Sequence, residues 1–173
     1  MAKKIDFNQI SLRDTLDLAI FVEEEAKERY DEFAAQMKAH HSEEVAKFFV
    51  FMSGNEVKHA ERLSEKRRSL FGDEPRTFDP SVLFDVEAPE YSKVRAFMPV
   101  QEALEVALQS EIKAYDFYND ALESITDPGV RDMFGELRDQ EAKHQELIRE
   151  TMAKVPESDG FDPDDFVDEP AAQ

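Results

Sequence analysis

The chain has 173 residues, enough for one domain with a real core, and its 40 acidic against 21 basic residues give a net charge of -19. That balance excludes a nucleic-acid backbone and an anionic membrane surface as partners, since both demand a basic face; it suits a metal-handling protein, and equally plain solubility. The absence of cysteine excludes disulfides, thiolate-bound zinc, iron–sulfur clusters and any iron held by thiolates. The N-terminal MAKKIDFNQI has basic residues with no apolar stretch behind them, and the longest apolar run, FFVFM at 48–52, is too short to span a bilayer. These features read as a soluble, cytoplasmic protein.

Four long helices are expected. The first runs from about Ser11 to Lys38, where Ser11 and Asp14 resemble a capping box, and Leu16, Ala19, Ile20, Glu23, Ala26, Tyr30, Phe33 and Ala34 form one helical stripe. The second runs from about Ser42, a candidate N-cap followed by Glu43 and Glu44, to Leu70, with Gly72 and Pro75 as stop signals. A third is expected from Pro99 to Ile125, and a fourth from Pro128 to Lys154, with TDPG at 126–129 as the turn between them. The joins near 39–42 and 125–128 are short and imply antiparallel hairpins. The stretch of about 72–98 carries Pro75, Pro80 and Pro89 without a helical stripe and is long enough to cross a bundle. The fold class is therefore all-α: a four-helix bundle of two antiparallel hairpins joined by a long crossover, spanning residues 1–154. Residues 155–173 form an acidic tail, expected to be disordered, with Phe161 and Phe166 as its hydrophobic handles.

The two hairpins repeat each other. AIFVEEEAKERY at 19–30 lies over ALQSEIKAYDFY at 107–118, and EVKHAERL at 56–63 lies over EAKHQELI at 141–148. Each half reads Glu, then Tyr seven residues on, a turn, then Glu-x-x-His. Residues equally far from a hairpin turn share one height. The midpoint between Glu23 and Glu56 falls between Ala39 and His40, and that between Glu111 and Glu141 falls at Thr126, both on the expected turns. All four glutamates are thus expected at one level.

A single Glu-x-x-His on an acidic helix is most simply a solvated face. Two of them, with two partner glutamates, matched tyrosines and a shared level, point to a metal site. Four carboxylates in an apolar core cannot all stay charged without compensation, and two divalent cations supply about four positive charges. The i, i+3 spacing sets Glu56 with His59, and Glu141 with His144, on one helix face. This oxygen-rich set with one imidazole per ion suits iron or manganese better than structural zinc. Tyr30 and Tyr118 are placed to hydrogen-bond a ligand carboxylate on a facing helix. His40 and His41 fall at a turn and are excluded. Glu24, Glu25, Glu28, Glu102 and Glu105 read as solvated, one of the first three being a candidate extra ligand, and Phe21, Phe33, Phe48, Phe49, Phe51 and Phe134 read as core.

At Glu23 with Tyr30, EVKH at 56–59, Glu111 with Tyr118, and EAKH at 141–144, the sequence resembles the rubrerythrin branch of the ferritin-like superfamily over roughly residues 12–152. The resemblance implies a non-haem di-iron centre reacting with dioxygen or hydrogen peroxide, often in a homodimer or larger homo-oligomer. Its cofactor would be two iron ions, with manganese or mixed metals as alternatives. Two departures stand out. Rubrerythrins proper carry a cysteine-ligated rubredoxin domain for electron entry, and this chain has no cysteine, so the electron donor is unknown. They also usually carry a further Glu three residues after the third-helix Glu, where this chain has Ala114; that weakens the case for peroxidase activity and moves the site toward the symmetric four-Glu, two-His pattern of ferritin-like oxidases. The leading functional expectation is oxidation of Fe(II) by dioxygen or peroxide, as a ferroxidase or in peroxide scavenging. The alternatives are an iron storage or delivery subunit of a larger assembly, and a structural bundle with a vestigial metal site.

Overall fold

A computed structural model describes residues 6–76 and 99–156. Among these are four helices: α1 (Leu12–Ala39), α2 (Glu43–Phe71), α3 (Val100–Leu122) and α4 (Pro128–Lys154). Residues 77–98 of the expected crossover and 157–173 of the expected tail lie outside the described residues.

Local chemistry accounts for the helix ends. Ser11 caps α1 as expected: its Oγ accepts from the Asp14 N–H at 3.1 Å and donates to Asp14 Oδ2 at 2.7 Å. The α1–α2 turn closes through His41 in the left-handed region (φ 58), with the His41 and Ser42 amides donating to the carbonyls of Lys38 and Met37. This pattern satisfies the last orphan carbonyls of α1. Ser42 occupies the N-cap of α2, but its side chain makes no capping bond; its ψ of 62° lies outside the extended region that capping geometry needs. Gly72, at φ 64 and ψ -152, ends α2 in a conformation open essentially to glycine alone. Asp127 caps α4 by accepting from the Val130 N–H at 2.8 Å, with Pro128 in the first turn. The third helix stops at Leu122, short of the expected Ile125. The amides of Glu123 and Ser124 tighten onto carbonyls three residues back, and Arg131 Nη1 donates to the carbonyls of Leu122 and Ile125 at 2.6 and 3.2 Å.

Two apolar clusters fill the bundle. One gathers Leu16, Ile20 and Val22 of α1, Leu63 of α2, Phe117 and Ala121 of α3, and Val130, Phe134 and Leu137 of α4. The other gathers Phe33 and Met37 of α1, Phe49 and Met52 of α2, Ala103 and Leu104 of α3, and Ile148 of α4. The first cluster thus joins the start of α1, the end of α2, the end of α3 and the start of α4. α1 therefore runs antiparallel to α2 and α3, and α2 antiparallel to α4. It follows that α2 ends at one end of the bundle and α3 begins at the other. The main packing is within the hairpins, α1 on α2 and α3 on α4; α1 also meets α3, and α2 meets α4.

Phe33, Phe49 and Phe134 are fully buried, as expected, and Phe21 and Phe48 are partly buried. Phe51 is not core: it is 52% exposed beside Val50. In a run of consecutive apolar residues, helical geometry turns some side chains away from the bundle. A buried ion pair ties α1 to the end of α2. Arg67 Nε and Nη2 donate to Asp17 Oδ1 and Oδ2 at 2.7 and 3.3 Å, and Asp17 is wholly inaccessible. None of the described helices is long and apolar enough to cross a membrane.

Candidate metal centre

Between the two apolar clusters lies a polar layer. Glu23, Glu56, His59, Glu111, Glu141 and His144 are all buried there, each contributed by the middle of its helix. Glu23 and Glu111 come from α1 and α3, and the two Glu-x-x-His pairs from α2 and α4. The structure brings all six expected residues to one level.

The Nδ1 atom of each imidazole faces three carboxylates. For His59 these are Glu56 at 3.1 Å, Glu23 at 3.3 Å and Glu141 at 3.4 Å. For His144 they are Glu111 at 3.2 Å, with Glu56 and Glu141 at 3.3 Å. The rings lie nearly parallel, with centroids 5.5 Å apart. Two four-residue groups each place their ligand atoms within 4.8 Å of one another: Glu23, Glu56, His59 and Glu141, and Glu56, Glu111, Glu141 and His144. Glu56 and Glu141 belong to both groups, so either carboxylate is within reach of two neighbouring ions.

The tyrosines cross between halves. Tyr30 on α1 donates its hydroxyl to Glu111 Oε1 on α3, and Tyr118 on α3 donates to Glu23 Oε1 on α1. Burial, then the charge of Glu23, pushes the Tyr118 hydroxyl well above its ordinary pKa, so it stays a donor.

A second crossing was not anticipated from sequence. Gln140 Oε1 lies 2.5 Å from His59 Nε2, and Asn55 Nδ2 lies 3.5 Å from His144 Nε2. Each amide sits one residue before the Glu of its own motif and reaches the imidazole of the other. His59 Nε2 donates to Gln140 Oε1, and Nδ1, facing carboxylate oxygens, also carries a proton while no cation is bound; a cation at Nδ1 would displace that proton and leave the Nε2–H form. Turning the Asn55 carboxamide over presents its oxygen to His144 in the same way. The available signal was an amide at one register of both repeats, Asn55 over Gln140.

The electrostatics of the chain without bound cations describe a site short of positive charge. Burial, then the charge of Glu141, holds both Glu56 and Glu111 well above the usual carboxylate range. Burial also pushes Glu141 up, but hydrogen bonds with Glu111, His144 and His59 outweigh it and hold this carboxyl low. For His59, burial opposes the charged form, yet the bonds to Glu141, Glu23 and Glu56 overcome it and raise the pKa. His144 is raised likewise, against burial, by its bond to Glu141 and the charges of Glu56 and Glu141. Protons thus stand where cations would neutralise the layer. The buried Oε1 atoms of Glu56 and Glu141 meet only long contacts, with His144 Nδ1 at 3.3 Å and His59 Nδ1 at 3.4 Å. These oxygens belong to the two glutamates shared between the groups. The donor set and the shared carboxylates fit a pair of divalent cations.

The residues set aside lie elsewhere. His40 and His41 are exposed at the turn, and Glu24 and Glu28 are exposed on α1, Glu24 bound by Arg76 at 2.9 and 3.0 Å. Ala114 is buried in the cluster that holds Phe117 and Tyr118, so no carboxylate is supplied there.

Fold and polar layer together define an all-α bundle of ferritin-like topology with a carboxylate-and-imidazole cluster fit for metal. By sequence the chain belongs to the rubrerythrin family, whose profile matches residues 14–152. Among solved structures, it is similar to an uncharacterized conserved protein from Magnetospirillum magnetotacticum, with 26% identity, a TM-score of 0.73, and coverage of 88% of this chain and 100% of that one. It also shares its fold with a hypothetical protein from Pyrococcus furiosus, with 19% identity, a TM-score of 0.65, and coverage of 87% and 95%. None of the curated proteins matches it significantly.

Proposed function

We propose that the chain holds two iron ions in the polar layer and oxidises Fe(II) with hydrogen peroxide or dioxygen. The observation that carries this reading is the sharing of Glu56 and Glu141 between two ligand groups, each completed by its own Glu and His. Membership of the rubrerythrin family supports iron as the metal. In this reading Glu23 and His59 serve one ion, Glu111 and His144 the other, and Glu56 and Glu141 both. When bound, an iron pair would supply two electrons, one per ion, enough to reduce one hydrogen peroxide to two hydroxide ions.

The chain's own residues do the rest. Tyr30 and Tyr118 fix the outer glutamates, and Gln140 and Asn55 fix the imidazole tautomers. The flanking apolar clusters close the layer off toward the two ends of the bundle. Protons held on Glu56, Glu111 and the two imidazoles leave as cations bind. Ala26 and Ala114, at matching positions of the two halves, leave the ligand set symmetric at four carboxylates and two imidazoles.

The test is to load metal-free protein with Fe(II) without oxygen, then mix it with peroxide or dioxygen and follow the ultraviolet–visible spectrum. The expected result is oxidation of the bound Fe(II), far faster than free Fe(II), with one peroxide consumed per two ions. Bound Fe(II) that oxidises no faster than free Fe(II) with either oxidant overturns the reading.

A further inference from the structure

Among the described residues, a cleft of about 790 Å³ between α1 and α2 reaches the polar layer, and six of its lining residues are acids. Glu23 and Glu56 form its buried end, and Glu24, Glu28, Glu61 and Glu65 are exposed. Glu24 and Glu28 are one turn apart on α1, as are Glu61 and Glu65 on α2, so two acid pairs line the cleft from adjacent helices. Like charges at that spacing repel each other and disfavour the helix that carries them.

Local bases do not cancel this charge. The two basic residues of the lining turn to acids outside it: Lys27 pairs with Asp31 at 2.6 Å, and Arg68 with Asp73 at 3.3 Å. Glu24 is matched by Arg76, but no ion pair engages Glu28, Glu61 or Glu65 among the described residues. At the buried end, Glu56 is 1% exposed, and its Oε1 has only the long 3.3 Å contact with His144 Nδ1. An acidic approach thus leads to the buried carboxylates of Glu23 and Glu56.

The other half differs at the matching register. Where α2 has Ala60 beside His59, α4 has Gln145 beside His144, and Gln145 Nε2 donates to the Glu111 carbonyl at 3.3 Å. The side chain missing at Ala60 is therefore present there and tied down next to the equivalent glutamate. The acids themselves are kept, with Asp116, Glu146 and Glu150 standing where α1 and α2 have Glu28, Glu61 and Glu65. Ile112 and Tyr115 replace one acid and one base, Glu24 and Lys27, so the difference between the two sides is the space beside the imidazole and not the net charge.

We infer that the α1–α2 cleft is the entry port of the centre, through which divalent cations pass along Glu28, Glu61 and Glu65 to Glu23 and Glu56. The inference rests on the metal-centre reading above. Exposed carboxylates are weak oxygen ligands for a hydrated cation, and clefts lined by one sign of charge raise the on-rate of the opposite sign by about 10–1,000-fold.

The experiment is stopped-flow binding of Co(II) to the full metal-free chain at low salt, followed by its visible absorption, with equilibrium stoichiometry measured in parallel. The variants are Glu28→Gln/Glu61→Gln/Glu65→Gln, which changes only exposed side chains, and Ala60→Gln, which copies the closed side. Both are expected to slow binding by about tenfold or more at unchanged stoichiometry, and the triple variant to lose most of the salt dependence of its rate. A triple-variant rate within about twofold of the parent chain, at unchanged stoichiometry, overturns the port whatever Ala60→Gln does. A parent chain that takes up no stoichiometric Co(II) overturns the metal centre instead, and the port with it.

Discussion

Replacing Tyr118 with Phe removes one hydroxyl and little else. The ring packs edge-on against Phe134 and Phe117, with centroids 5.1 and 5.4 Å away, and Phe keeps those contacts. What goes is the hydrogen bond to Glu23. Tyr118 is 0% and Glu23 1% exposed, so water does not take the donor's place. A hydrogen bond to a charged group contributes about 1.5–3 kcal/mol, so the metal-free variant should lose about that much stability, or roughly 3–12 °C in Tm. Metal binding should suffer in a particular way. Glu23 belongs to the group containing His59, whereas Tyr30 holds Glu111, which belongs to the group containing His144. Losing such support typically costs about 10–100-fold in metal affinity. Calorimetric titration with Co(II) should therefore give one site of near-parental affinity and one weakened site in Tyr118→Phe. Tyr30→Phe should weaken the opposite site. Variants that melt and titrate like the parent chain would refute the idea that these hydroxyls position ligands.

Two further predictions concern stability. Asp17→Ala removes the carboxylate from Arg67, which keeps the Gly72 carbonyl at 3.3 Å, and should cost about 1–3 kcal/mol in urea unfolding, whereas replacing both residues with apolar ones of similar size should recover most of it. The pH dependence of the metal-free chain follows from the layer. Glu56 and Glu111 are raised, so their stabilising effect is complete below the ordinary carboxylate pKa and is lost as pH climbs through their folded values. His59 and His144 are raised too, so theirs is complete below about pH 6.5 and is also lost on the way up. Glu141 is lowered and acts the other way, its contribution being lost only as pH falls below the ordinary carboxylate range. Metal-free Tm should thus fall between about pH 5 and 8, at up to about 1.4 kcal/mol per pH unit for each titrating group, and saturating divalent cation should flatten or reverse the trend; a metal-free Tm that rises over that range would contradict it.

Much of the bundle was legible because helical periodicity and hairpin arithmetic are local. The turn positions placed Glu23 level with Glu56, and Glu111 level with Glu141, and the glutamates do share one buried layer. What escaped depends on contacts between helices. Asn55 and Gln140 look like ordinary polar residues until α2 and α4 face each other, when each reaches the other motif's imidazole. The early end of α3 depends on Arg131 arriving from α4 to take the carbonyls of Leu122 and Ile125. Phe51 illustrates the limit of composition: the run FFVFM wraps around a helix, and only the structure says which side chains turn outward. The silent Ser42 cap is a matter of backbone angle, which residue type does not dictate.

The central claim is that Glu56 and Glu141 are shared by two ions. It is tested most directly by equilibrium titration of the metal-free chain with Fe(II) in the absence of oxygen, alongside Glu56→Ala. The account predicts two Fe(II) bound per chain, and the loss of tight binding at both positions, not one, when the shared Glu56 carboxylate is removed. A parent chain that binds no stoichiometric Fe(II), or a Glu56→Ala variant that still binds two tightly, would contradict it.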